Sequence, residues 1–113
     1  MKEISGKTLL TKWAQNSPSL KLINAQEEAF FELKHIPGSL NLFKKEDILA
    51  QLKPDDDIVV YCTNTCCKRS IVLYYLLKEL KYEHVSRFSG GLQEWELMGL
   101  PVSGKMVELA ANL

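Results

Sequence analysis

No stretch of this 113-residue chain is apolar enough to cross a bilayer, the longest such run being Ile71 to Leu77. Met1 to Leu10 carries charges and a glycine where a secretory leader needs its apolar core. A soluble protein of the cytoplasm, with no membrane partner, is therefore expected. Neither sign of charge is in excess: fourteen Lys and Arg balance fourteen Asp and Glu, and the absence of a basic run argues against a nucleic-acid partner. Repeats, low-complexity tracts and Pro/Gly-rich linkers are also missing, so residues 1–113 read as one domain, with a core over about 4–102 and a tail over 103–113. Cysteine is scarce, and all three lie between Cys62 and Cys67. That distribution excludes a framework of disulfides between distant loops and points to local thiol chemistry.

Along the chain, strand-like and helix-like segments alternate. Ile4 marks a short edge strand, and Ser5 caps a helix with Leu9, Leu10, Trp13 and Ala14 on one stripe. Leu20 to Asn24 reads as a buried strand, Gln26 to Leu33 as a helix, and His35-Ile36-Pro37-Gly38 as a turn. Ser39 to Phe43 is a short strand and Lys44 to Leu52 a short helix. Asp57 to Cys62, with Ile58, Val59, Val60 and Tyr61, has the β-branched and aromatic character of a central strand buried on both faces. Arg69 to Lys81 forms a helix so apolar that most of its circumference is expected to be covered. His84 to Phe88 is a strand, Gly90-Gly91 a turn, and Leu92 to Met98 a helix closed by Gly99. Such alternation implies a mostly parallel sheet with helices on both faces, which places ligands at the carboxyl ends of its strands.

Cys62 sits at such an end, immediately before a loop and a helix. Unpaired amides and the helix dipole there favour an anion, and Lys68 and Arg69 add positive charge. The thiol pKa of Cys62 is thus expected below its ordinary value of about 8.5. A concave nest of N–H groups would also hold a persulfide or a small oxyanion. The candidate site comprises Cys62 as nucleophile, Cys66 and Cys67 as further thiols, and Thr63, Asn64, Thr65, Lys68, Arg69 and Ser70 on the substrate side.

Several segments resemble the rhodanese family in order and spacing. They are His35-Ile36-Pro37-Gly38-Ser39 with Asn41, Asp57-Ile58-Val59-Val60-Tyr61-Cys62, Arg69-Ser70, Gly90-Gly91-Leu92 with Trp95, and Gly99-Leu100-Pro101-Val102. The resemblance covers nearly the whole chain from Ile4 to Val102. It implies an α/β domain with a five-stranded parallel sheet, persulfide chemistry on Cys62, and sulfane sulfur donors as substrates. The donor would be a small sulfur-containing anion such as thiosulfate, or a protein persulfide, and the acceptor a thiol. Some members carry a second cysteine at the place of Cys67. Either Cys62 holds the persulfide while Cys67 or Cys66 receives it or forms a disulfide, or the later cysteine is itself reactive, with Cys62 favoured for its place at the strand end. The chain departs from the family pattern in its six-residue loop, Thr63 to Lys68, which is longer than usual, and in Asn24 and Gln26, which replace an aspartate and an arginine.

Other readings are weaker. A lone buried cysteine is usually structural, but three clustered thiols shift that balance. A structural zinc site takes a fuller ligand set, and adjacent Cys66 and Cys67 cannot easily face one ion, so neither metal nor cofactor is expected. Related phosphatases use a cysteine-to-arginine spacing that no cysteine here provides. His35 reads as a turn-fixing residue, and Trp13 and Trp95 as packing. The competing function is a catalytically weak binding or redox-sensing module in which the loop docks a partner or closes a local disulfide. The tail reads as a short helix with Val107 and Leu109 to Ala111 packing on the domain or on another subunit.

Overall fold

The computed structural model describes residues 1–111. Four parallel strands, β1 (Leu20–Asn24), β2 (Leu40–Asn41), β3 (Asp57–Tyr61) and β4 (Val85–Phe88), make one sheet in the order β2-β1-β3-β4. Each strand reaches the next through a helix: α2 (Glu28–Leu33), α3 (Lys45–Gln51) and α4 (Arg69–Glu79). The remaining helices are α1 (Gly6–Gln15), α5 (Gly91–Leu97) and α6 (Lys105–Ala111). Central β3 pairs with β1 from Leu20 opposite Asp57 to Asn24 opposite Tyr61, and with β4 from Ile58 opposite Val85 to Tyr61 opposite Phe88.

Side chains alternate across a strand, so the two faces of the sheet carry different cores. Ile23, Ile58 and Val60 pack with Ile48 of α3 and with Leu73 and Leu77 of α4. Leu22, Val59 and Tyr61 pack with Leu9 of α1 and with Leu92 and Trp95 of α5. The α/β class and the covering of both faces match expectation. The strand count does not: the sheet has four strands rather than five. Where an edge strand is expected at Ile4, a single bridge joins Glu3 to Arg87, with Ile4 N–H donating to the Arg87 carbonyl at 3.0 Å and Arg87 N–H to that of Lys2 at 2.9 Å. Ser5 stops the ladder there, because its Oγ accepts the Thr8 N–H at 3.1 Å and starts α1 at once.

Two further expectations need correction. The outer side of α4 is open, with Val72 and Tyr75 each 55% exposed, because the sheet covers only the side that carries Leu73, Tyr74 and Leu77. Ala14 is exposed as well, so the buried stripe of α1 is narrower than the spacing suggests. The helix ends at Asn16, whose left-handed backbone (φ 49°) precedes Ser17 and Pro18. In the tail, α6 buries no side chain, and Lys105 meets Glu32 of α2 at 3.2 Å; residues 112 and 113 lie outside the described residues.

Tyr61 ties the turn after α2 to the centre of the sheet. Its buried hydroxyl accepts the Ile36 N–H at 3.0 Å and lies 2.9 Å from Ser39 Oγ, which donates to the Ile36 carbonyl at 2.6 Å. Trp13 Nε1 fixes the same turn by donating to the Pro37 carbonyl at 2.8 Å, and its ring meets that of Trp95 edge to face. His35 Nδ1 lies 2.7 Å from the Phe31 carbonyl, which ties the start of the turn back to α2.

Burial holds the Tyr61 phenol above its ordinary pKa, against smaller opposing effects of its hydrogen bonds. Tyr61→Phe should lower unfolding stability near neutral pH by about 1–3 kcal/mol, because the Ile36 N–H loses its partner. The folded pKa exceeds the unfolded one, so the contribution of Tyr61 is complete below about pH 10 and declines as pH rises towards the folded value. Urea unfolding of both proteins should show their stability gap narrowing above pH 10. A constant gap would place the effect elsewhere.

Candidate functional site

The chain leaves β3 directly into Cys62, which is 2% exposed, and crosses the loop to α4. The start of that loop is fastened by backbone. Leu92 N–H donates to the Cys62 carbonyl and Gln93 N–H to the Thr63 carbonyl, each at 2.9 Å, so the first turn of α5 grips the end of β3. Gly91 makes this approach possible. Its φ is +62°, and a Cβ there would lie 2.9 Å from the Thr63 carbonyl carbon and collide with the Cys62 carbonyl oxygen.

Asn64 turns the loop back. Its Oδ1 accepts the Cys66 N–H at 2.9 Å and its carbonyl the Cys67 N–H at 3.2 Å. Cys67 is thereby returned beside Cys62, Cα atoms 6.2 Å apart, and the two sulfurs are joined in a disulfide. Cys66 points outward with a free thiol. Of the three thiols considered from the sequence, the structure pairs Cys62 with Cys67.

The remaining expected site residues separate into groups. Thr63 and Asn64 lie against the bridge, with Thr63 Oγ1 4.0 Å from Cys62 Sγ. Thr65 and Lys68 are exposed, Lys68 as the residue that precedes α4. Arg69 sends its guanidinium to the end of β1, where Nε donates to the Ala25 carbonyl at 2.6 Å and the group lies 4.2 Å above the Phe43 ring. Ser70 is buried, and its Oγ accepts a hydrogen bond from Arg87 Nε at 2.9 Å.

Sequence reasoning did not select Arg87. It is 4% exposed and also contacts Glu3 Oε1 through NH1 at 2.9 Å and the Cys67 carbonyl through NH2 at 3.4 Å. The signal available was a charge inside a short strand whose other residues are apolar or small. Gln26 is a second addition. Its amide N–H donates to Asn24 Oδ1 at 2.8 Å, its Oε1 accepts from Asn24 Nδ2 at 3.0 Å, and its Nε2 donates to Thr63 Oγ1 at 2.8 Å. A neutral relay thus runs from the end of β1 to the residue beside Cys62.

Two grooves flank the loop. One, of about 470 Å³, is lined by Phe30, Leu33, Thr63, Asn64 and Met106, and the other, of about 730 Å³, by Phe43, Lys44, Asp47 and Arg69. Gln26 lines both.

Residues 8–98 match the model of the rhodanese-like domain. Over 83 residues the chain is 35% identical to the HTH-type transcriptional regulator Rv0324 of Mycobacterium tuberculosis, an alignment that covers 72% of this chain and 36% of that protein. The chain thus spans about a third of the curated relative it matches. Among solved structures, the BH2092 protein of Bacillus halodurans superimposes with a TM-score of 0.86 at 18% identity, covering 93% of this chain and 78% of that one. The rhodanese-like domain of the Alr3790 protein of Anabaena gives 0.80 at 22% identity, covering 95% and 82%. A rhodanese-related protein of Thermoplasma volcanium gives 0.72 at 19%, covering 93% and 100%. At these identities the structures establish a shared fold.

Gly91→Ala should destabilise the protein by about 1–3 kcal/mol, from left-handed backbone strain together with the collision at Cys62. Thermal unfolding, with the Cys62–Cys67 pair both oxidised and reduced, measures it. Unchanged stability in both states would mean that the α5 amides do not hold the loop.

Proposed function

The chain belongs to the rhodanese-like domain family, and on that premise we propose that it is a sulfurtransferase that carries sulfane sulfur on Cys62. The observation that supports this reading most is the placement of Cys62 at the carboxyl end of β3, before α4 and bridged to Cys67. In the reduced protein, the Cys62 thiolate attacks the outer sulfur of a small anion such as thiosulfate. The sulfur–sulfur bond of the donor breaks, sulfite leaves with the electron pair, and Cys62 retains a persulfide. A protein persulfide serves as donor by the same exchange.

Cys67 gives the intermediate an exit. Its thiol attacks Cys62 Sγ, the outer sulfur departs as hydrosulfide with the proton that Cys67 gives up, and the observed bridge forms. An external thiol acceptor competes with this step by taking the outer sulfur directly. Two equivalents of a low-molecular-weight thiol then reduce the bridge and leave as their own disulfide. Such a cycle suits the reducing cytoplasm, where the dithiol is regenerated.

Reduced protein incubated with thiosulfate should first gain one sulfur atom by intact mass and then lose it as sulfide while the Cys62–Cys67 bridge forms. Cys62→Ala should gain none, whereas Cys67→Ser should accumulate the persulfide and release at least about tenfold less sulfide without added acceptor. Unchanged loading of Cys62→Ala would sink the assignment.

The bridge also favours a second reading, a module that senses oxidants by closing the disulfide. The relative named as a transcriptional regulator is consistent with such a role. Mild peroxide should then remove two titratable thiols from the wild type and leave Cys66 free. Retention of all three thiols, under conditions that oxidise a free cysteine, would exclude the sensor.

A further inference from the structure

The two sulfur-bearing residues are anchored through their own carbonyls, by different parts of the fold. The Cys62 carbonyl takes the Leu92 amide, a backbone contact fixed by α5. The Cys67 carbonyl takes the guanidinium of Arg87, a side chain. Between these anchors Thr63, Thr65 and Cys66 are exposed. Opening the disulfide would release Cys67 unless something other than the bridge kept it near Cys62.

We propose that Arg87 is the positioning residue that holds Cys67 within bonding reach of Cys62 when the two are reduced. The side chain is built for this purpose. Burying a guanidinium is unfavourable unless its nitrogens find partners, and here each of the three has one: Ser70 Oγ, Glu3 Oε1 and the Cys67 carbonyl. Ser70 belongs to the first turn of α4, and Glu3 comes from the segment bridged to β4. One planar group therefore fastens the segment from Cys67 to Ser70 onto the sheet, whether or not the sulfurs are joined. In its absence Cys67 would keep the Asn64 turn but lose its own anchor to the sheet, and the effective concentration of its thiol at Cys62 would fall.

The inference rests on the reading of Cys67 as the thiol that closes on Cys62, and part of its test does not depend on sulfur transfer. In a glutathione buffer the reduced pair and glutathione disulfide exchange two electrons. The protein gains its sulfur–sulfur bond, and two glutathione thiols form with the two protons that the cysteines release. At half closure, the square of the glutathione thiol concentration divided by that of glutathione disulfide gives the effective concentration of Cys67 at Cys62. Arg87→Met should lower it about tenfold, with Arg87→Lys in between. Ser70→Ala, which removes the Nε partner while keeping the charge, should move it in the same direction and serves if Arg87→Met fails to fold.

In thiosulfate turnover, the ratio of the sulfide-release rate to the sulfur-loading rate should fall about tenfold in Arg87→Met. General damage to the fold lowers both rates and leaves their ratio alone. An effective concentration that is unchanged in the folded Arg87 variants and in Ser70→Ala would overturn the proposal. A wild type that takes no sulfur from thiosulfate would instead overturn the sulfurtransferase reading, and the glutathione titration would still decide the role of Arg87.

Discussion

The grip of α5 on the end of β3 is the constraint around which the carboxyl edge of the sheet is arranged. A helix leaves its first amides without intrahelical partners, and in α5 two of them donate to the Cys62 and Thr63 carbonyls. Those amides are therefore spent on protein backbone. The first turn of α4 differs in having no acidic residue, where that of α5 has Glu94. The two helix starts divide their work: α5 amides fix where the loop begins, and the loop ends at the positive end of the α4 dipole. A cysteine one residue beyond β3 is held by the first and separated from the second by the six-residue loop.

Around this edge the protein uses neutral dipoles where a charged pair is the family's usual choice. Asn24 and Gln26 are both buried, and each satisfies the other's amide before Gln26 reaches Thr63. Burying two amides that bond each other carries a smaller desolvation penalty than burying an ion pair. The consequence for chemistry is local. Of the two cations expected at the loop, Arg69 is drawn off to Ala25 and Phe43 and Lys68 is exposed, while buried Arg87 is engaged by Glu3 and Ser70. The polar group that the Asn24–Gln26 relay brings beside Cys62 is the neutral Thr63 hydroxyl, 4.0 Å from Sγ.

Much of this was legible in the sequence because it depends on local physics. The β-branched run ending in Tyr61, the Ser5 cap and the cysteine next to a strand end each carry their own signal. What stayed hidden depends on partners far along the chain. Arg87 is buried because Glu3, 84 positions away, neutralises it, and no pattern around Arg87 reports that. Ile4 fails to extend a fifth strand because α1 begins too soon, a competition between two readings that were each reasonable alone. The apolar residues of α4 carry no local sign that only one side meets the sheet, which is set by where α4 packs. The choice between Cys66 and Cys67 turned on the Asn64 turn, which directs one sulfur outward and the other inward.

The anchors at both ends of the loop bear on what its disulfide is for. A bridge stabilises a protein chiefly by removing freedom from the unfolded chain, and the gain shrinks with the length of chain it closes. With a separation of 5, Cys62 and Cys67 stand at the weak end of that scale, about 2 kcal/mol on the chain-entropy estimate. The fold does not depend on the bridge for its connections, since α5 amides hold one end and a buried guanidinium the other. The six-residue loop is accommodated because closure entropy rises slowly with length and its middle lies in solvent. A bond at the low end of disulfide stabilisation, between residues that other contacts also hold, is not what connects the loop to the domain. That property suits a thiol pair whose task is chemical.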